Sequence, residues 1–153
     1  MQAEWRKLWQ LDAAFRLRTM QREKAELAYT RCCSELARAE CLLSEEKIHY
    51  NSVQARFEEL GQSGVTLDPA LHEQRLLAQN AAYQRLESAH QPVTDALYQL
   101  YLAKTQLLKC RKNEDLIGKA KNQLRLQLDK AMRNVEAVDI FDAQIAQGVW
   151  YGY

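Results

Sequence analysis

The chain has 153 residues, enough for one domain, and its 21 basic and 20 acidic side chains leave a formal charge of +1. That balance gives the whole molecule no strong pull toward nucleic acid or a membrane surface. Ala, Leu, Gln, Glu, Lys and Arg dominate, with only five Gly and two Pro. This is the mixture of long helices, and no alternating β-type run appears, so no strands are expected.

In chain order, the first helix is expected from about residue 3 to 60. Its main signal is sixteen positions spaced alternately three and four apart: Leu8, Leu11, Phe15, Arg18, Arg22, Ala25, Tyr29, Cys32, Leu36, Ala39, Leu43, Glu46, Tyr50, Val53, Phe57 and Leu60. Only Arg18, Arg22 and Glu46 interrupt its apolar character. A repeat of 3.5 sustained this long is the sign of a coiled coil, because only a supercoiled helix keeps such a stripe facing one partner.

Residues 61–69 hold two Gly and one Pro and are expected as the turn. Gly61 suits the position just past a helix C-terminus, and Asp68-Pro69 suits an N-cap with Pro at the first helical residue. A second helix is expected from about 70 to 146. Leu76, Gln79, Tyr83, Leu86, His90, Val93, Leu97 and Leu100 keep one heptad. Ile117, Ala120, Leu124, Leu128, Ala131, Val135 and Val138 resume it one residue out of step, a change of phase. Pro92 and Gly118 are expected to bend or loosen this helix, with Thr94 available as a cap if Pro92 breaks it. Residues 147–153, with Gly148, Trp150, Tyr151, Gly152 and Tyr153, read as a non-helical aromatic tail.

Two helices joined by a short turn pair antiparallel. The predicted fold is all-α, a long antiparallel two-helix coiled-coil hairpin forming a single domain, with residue i opposite roughly residue 131 − i. At 1.5 Å per residue the helices would be about 85 and 115 Å long, so residues beyond about 128 project past the first helix. Residues 31–103 carry net −4, residues 1–30 net +2, and residues 104–134 net +6. One end of the hairpin is expected to be basic, a handle for an acidic partner.

Met1–Trp9 lacks the apolar core of a signal peptide, and no apolar run reaches a membrane span. Cys32, Cys33, Cys41 and Cys110 have no metal-type spacing and read as reduced cytosolic thiols acting as small apolar residues. Glu46-x-x-His49 and Glu87-x-x-His90 resemble half of a di-iron bundle, but two helices alone cannot enclose such a site. The preferred reading is a polar Glu46–His90 contact in the seam, with no metal or other cofactor. No nucleophile-base set or phosphate loop is visible, so catalysis is not expected. Phe15, Tyr29, Phe57 and Tyr83 are assigned to the seam. Trp5, Trp9, Tyr98, Tyr101, Trp150 and Tyr151 are left over as partner anchors.

The pattern resembles the FliJ/YscO/HrpO stalk proteins of flagellar and virulence type III secretion systems. The resemblance covers nearly the whole chain. It rests on a length near 150, a first helix opening with Leu17-Arg-Thr-Met-Gln-Arg-Glu-Lys-Ala-Glu-Leu27, a short polar turn, a longer second helix, and the basic run Ala103-Lys-Thr-Gln-Leu-Leu-Lys-Cys-Arg-Lys112. Pro92 and the tail Val149–Tyr153 lie outside it. The resemblance implies a cytoplasmic, non-enzymatic stalk at the secretion apparatus. The end bearing the termini would enter a hexameric export ATPase, and the opposite region would meet the export gate's cytoplasmic domain. Some members also bind export chaperones. It further implies gate contact through Tyr50, Leu76 and Tyr83, and the basic end, placed in that role, is expected to contact the ATPase through Lys109, Arg111, Lys112, Lys119 and Lys121. A different class of reading is a coiled-coil adaptor that self-associates through Trp5, Trp9 and the tail.

Overall fold

The computed structural model describes residues 1–62 and 68–151. It contains two helices, α1 (Gln2–Gln62) and α2 (Pro69–Tyr151), packed against each other as an all-α hairpin, with no strand among the described residues. The centre of the expected turn, residues 63–67, and the last two residues of the expected tail lie outside the described part.

The start of α2 follows from its first two residues. Asp68 Oδ1 accepts a hydrogen bond from the Ala70 N–H at 3.2 Å, and its carbonyl accepts the His72 N–H at 3.0 Å. Pro69 has no N–H to leave unsatisfied. Two local expectations fail, and the question of a break at Pro92 is answered. Gly61 is not past the end of α1 but within it, since the helix runs through Gln62. The tail is not irregular, because α2 continues through Tyr151. Pro92 does not divide α2: its ring is exposed, and the helix passes through it. Thr94 therefore caps nothing. Its hydroxyl donates back to the His90 carbonyl at 3.3 Å, the ordinary i−4 bond of a mid-helix threonine.

All sixteen stripe positions of α1 are buried or half-buried. In α2 the inner face is His72, Arg75, Gln79, Ala82, Leu86, Ala89, Val93, Ala96, Leu100, Ala103, Leu107, Cys110, Glu114, Ile117, Lys121, Leu124, Leu128 and Ala131. These alternate three and four apart without a slip, so the expected change of phase is absent. Leu76, Tyr83, His90 and Leu97, assigned to the seam from sequence, are exposed, and so are Ala120, Val135 and Val138. Alanines one residue earlier, at 82, 89 and 96, take the inner place of Tyr83, His90 and Leu97. Their small side chains let the helix axes approach, and the bulky neighbours stand at the flank.

The chain clusters into two compact units, Met1–Lys24 with Leu108–Tyr153, and Ala25–Leu107. In the second, Phe57 stacks against His72 with ring centroids 5.7 Å apart, Tyr50 meets Tyr83 at 6.0 Å, and Glu46 pairs with Arg85 at 3.3 Å. In the first, Arg22 pairs with Glu114, and Asp12 with Lys121. The Phe15 ring lies over Gly118, where an added Cβ would come within 3.2 Å of it. Gly118 thus makes room for an aromatic ring rather than loosening the helix. Buried apolar residues among those described are Ala25, Ala82, Leu107, Cys110 and Leu128, which is the narrow core a two-helix seam provides.

Leu128 and Leu126 share one helix and one chemistry but are 1% and 62% exposed. Leu128→Ala should destabilise by about 2–5 kcal/mol, while Leu126→Ala should change stability by less than about 0.5 kcal/mol. Urea unfolding followed by circular dichroism measures both, and equal losses would refute the assigned inner face.

Candidate functional site

Chemistry-bearing residues fall on two surfaces, one in each unit. In the first unit, 14 basic and nine acidic residues leave +5; in the second, seven basic and 11 acidic leave −4. Helical geometry decides which of the five predicted basic residues can meet a partner. Lys112 and Lys119 are two turns apart and point directly away from the seam, with Lys109 one turn before Lys112 on the same side. All three are exposed, and none has an ion-pair partner among the described residues. Arg111 is exposed on one flank.

Lys121 is different. It occupies an inner position, ion-pairs with Asp12, and stands 5.1 Å from the centroid of the Phe15 ring. Asp12 also accepts a bond from Arg16 at 3.1 Å, one turn along α1. The Lys121 hydrogen bond is the main cause that holds the Asp12 carboxyl below its ordinary value of 3.8; desolvation opposes it, and the charges of Lys121 and Arg16 reinforce it. Lys121 thus serves the helix pairing first, and only the outward lysines are fully presented.

In the second unit, the Tyr50 and Tyr83 rings meet at an interplanar angle of 59° on the flank of the seam. Leu76 lies two turns before Tyr83 on the same exposed row, and Leu97 four turns after it. Tyr50 and Tyr83 are brought together, while Leu76 shares their face without joining the ring pair. The Glu-x-x-His motifs do not converge. Glu46 engages Arg85 rather than His90, while His49, Glu87 and His90 are exposed. No group of three or more His, Cys, Asp or Glu among the described residues is placed to hold a metal ion.

Nothing matches this chain among protein-family models, curated proteins or solved structures. No helix among the described residues is long and apolar enough to cross a membrane.

Two further features were only partly legible. Trp5 and Trp9 lie beside Leu8, Arg16, Met20 and Leu128 along a groove of about 860 Å³, with Trp9 76% exposed. The sequence marked both tryptophans as anchors but not the groove, which needs α2 as its second wall. The exposed stripe Val135, Val138, Phe141 and Ile145 was half missed, because Val135 and Val138 continue the heptad and so read as seam.

A depressed carboxyl pKa in the fold adds stability that is present above the unfolded value and lost as pH falls through the folded one. For Asp12 that window lies below 3.8. Asp12→Asn should therefore be less stable than the parent at neutral pH, and the gap should close as pH falls from about 5 to about 2. Chemical denaturation of both proteins across that range reads the difference; parallel pH profiles would show that the pair contributes nothing.

Proposed function

We propose that this chain is the stalk of a type III secretion export apparatus, a non-enzymatic cytoplasmic element that couples a hexameric export ATPase to the export gate. The single observation that carries the reading is the outward row Lys109, Lys112 and Lys119, unengaged by ion pairs among the described residues and set on a unit of net +5. Its support is the combination of that row with the resemblance to the stalk family over nearly the whole chain. An acidic lining of a ring is the partner such a row suits. The opposite charge of the Ala25–Leu107 unit, and its exposed row of Leu76 and Tyr83 beside Tyr50, suit a second and different partner, the gate domain. Export chaperones are a further class of partner that the family resemblance brings.

The triple reversal Lys109→Glu, Lys112→Glu, Lys119→Glu should abolish stimulation of ATP hydrolysis by the export ATPase and leave helicity unchanged, since none of the three touches the seam. Undiminished stimulation would sink the reading. Tyr83→Ala should weaken binding to the gate domain by about tenfold with no effect on ATPase stimulation.

The exposed Trp9 favours a second reading, an adaptor that self-associates through Trp5 and Trp9. Sedimentation decides between them: a monomer over the micromolar range supports the stalk, and a dimer dispersed by Trp9→Ser supports the adaptor.

A further inference from the structure

The inner face of α2 does not stop where α1 stops. After Leu128 and Ala131, its last half-buried or buried members, the same alternation of three and four continues through Val135, Val138, Asp142 and Ile145. Met132 and Phe141 flank that line. Every residue from 132 to 148 is exposed, with Phe141 at 61%. These side chains extend an established helix-helix interface along a stretch where no described residue packs on it. A stripe of this size, left in water along a helix of this length, has the anchor spacing used when an amphipathic helix is laid against another helix.

Charge limits what the occupant can be. Residues 134–148 carry Glu136, Asp139 and Asp142 and no basic side chain, although the unit as a whole is positive. Asp142 sits in the stripe itself, and Asp139 on its margin. A second copy pairing stripe to stripe would bring four carboxylates together, Asp139 and Asp142 of each copy, with Arg133 the one cation per copy in the stretch, which like-charge repulsion disfavours. An anionic lipid surface fails for the same reason. We propose that residues 132–148 of α2 are a docking site for a basic amphipathic helix of another protein, laid along the line that α1 follows on the preceding turns. Its apolar anchors would cover Val135, Val138, Phe141 and Ile145, and its Lys or Arg side chains would meet Asp139 and Asp142. The inference does not rest on the stalk reading, and either can fail without the other.

The test uses the full chain and two synthetic three-heptad helices. Both peptides carry leucine at the seam positions; one has lysine on its flanks and its twin has glutamate. Fluorescence anisotropy at low salt should give the lysine peptide a Kd on the order of 10 µM and the twin at least about tenfold weaker binding. Val138→Asp with Phe141→Asp should weaken the lysine peptide by about tenfold or more. Asp139→Lys with Asp142→Lys should weaken it similarly while sparing the apolar stripe, and should remove its salt dependence. Hydrogen exchange should show protection confined to 132–148. Equal binding of the two peptides, indifference to both double variants, or protection elsewhere would overturn the proposal. So would a dimer that Val138→Asp with Phe141→Asp dissociates, or capture by phosphatidylglycerol vesicles through this stretch. Because these residues are all exposed, both variants should keep the parent's cooperative unfolding.

Discussion

Two helices alone must bury what they can along one line, so everything depends on keeping that line in place. With 3.6 residues per turn, a straight helix would carry a 3.5-residue repeat gradually off the partner; only a supercoiled pair holds it. The two faces are not alike. That of α1 uses Leu, Phe and Tyr at one of its two alternating positions. That of α2 sets alanine at 82, 89, 96 and 103 against Leu, Val and Leu at 86, 93 and 100. Large against small lets side chains interlock at close axial spacing, the requirement for dispersion contacts in so thin a core.

That same thinness explains the chemistry at the surface. A seam that takes about two residues in seven leaves five on the outside, and in this chain the outside is sorted by charge: +5 in one unit and −4 in the other. Within the positive unit the sorting goes further, since residues 134–148 are purely acidic among their charged groups. Free thiols follow burial rather than reactivity: Cys110 is buried and Cys32 half-buried in seam positions, while exposed Cys41 offers its thiol to Glu45 at 3.8 Å.

The first helix was legible because one of its two alternating positions is large almost throughout, at Leu8, Phe15, Tyr29, Leu36, Leu43, Tyr50 and Phe57. The period set by these residues carried the small seam members Ala25, Cys32 and Ala39 with it. In α2 the two criteria part. Reading by size selects Tyr83 and Leu97, yet the period runs through Ala82 and Ala96, and the apparent slip of phase arises from following volume in place of spacing. Pro92 stays inside α2 without ending it. A proline ring facing water in a long helix loses one hydrogen bond and clashes with one carbonyl, but the packed turns of α2 on either side of it hold the chain in place. The lysine row was legible as composition only. Which lysines face outward depends on the corrected period, and that period turns Lys121 inward.

Polar residues in the seam then set which heptad pairs with which. Leucine against leucine is satisfied by many registers, since a slide of seven residues restores much the same contacts. Arg22 and Glu114 are not so tolerant, at 25% and 18% side-chain exposure. A slide of one heptad one way sets Glu114 beside Tyr29 and brings Lys121 toward Arg22, a buried carboxylate without a cation and two cations together. A slide the other way sets Glu114 beside Phe15 and Lys121 toward Leu8. Either leaves part-buried charge unpaired, which costs several kcal/mol per ion, about as much as a small domain's net stability. The native pairing itself gains little from these ions, because their desolvation offsets most of the attraction. Glu46 shows the limit of the device: one oxygen meets Arg85, while the other is buried without a partner. Arg22, which seemed to interrupt the stripe, therefore acts with Glu114 and Lys121 to select one register among several that hydrophobic contact alone would leave nearly equal.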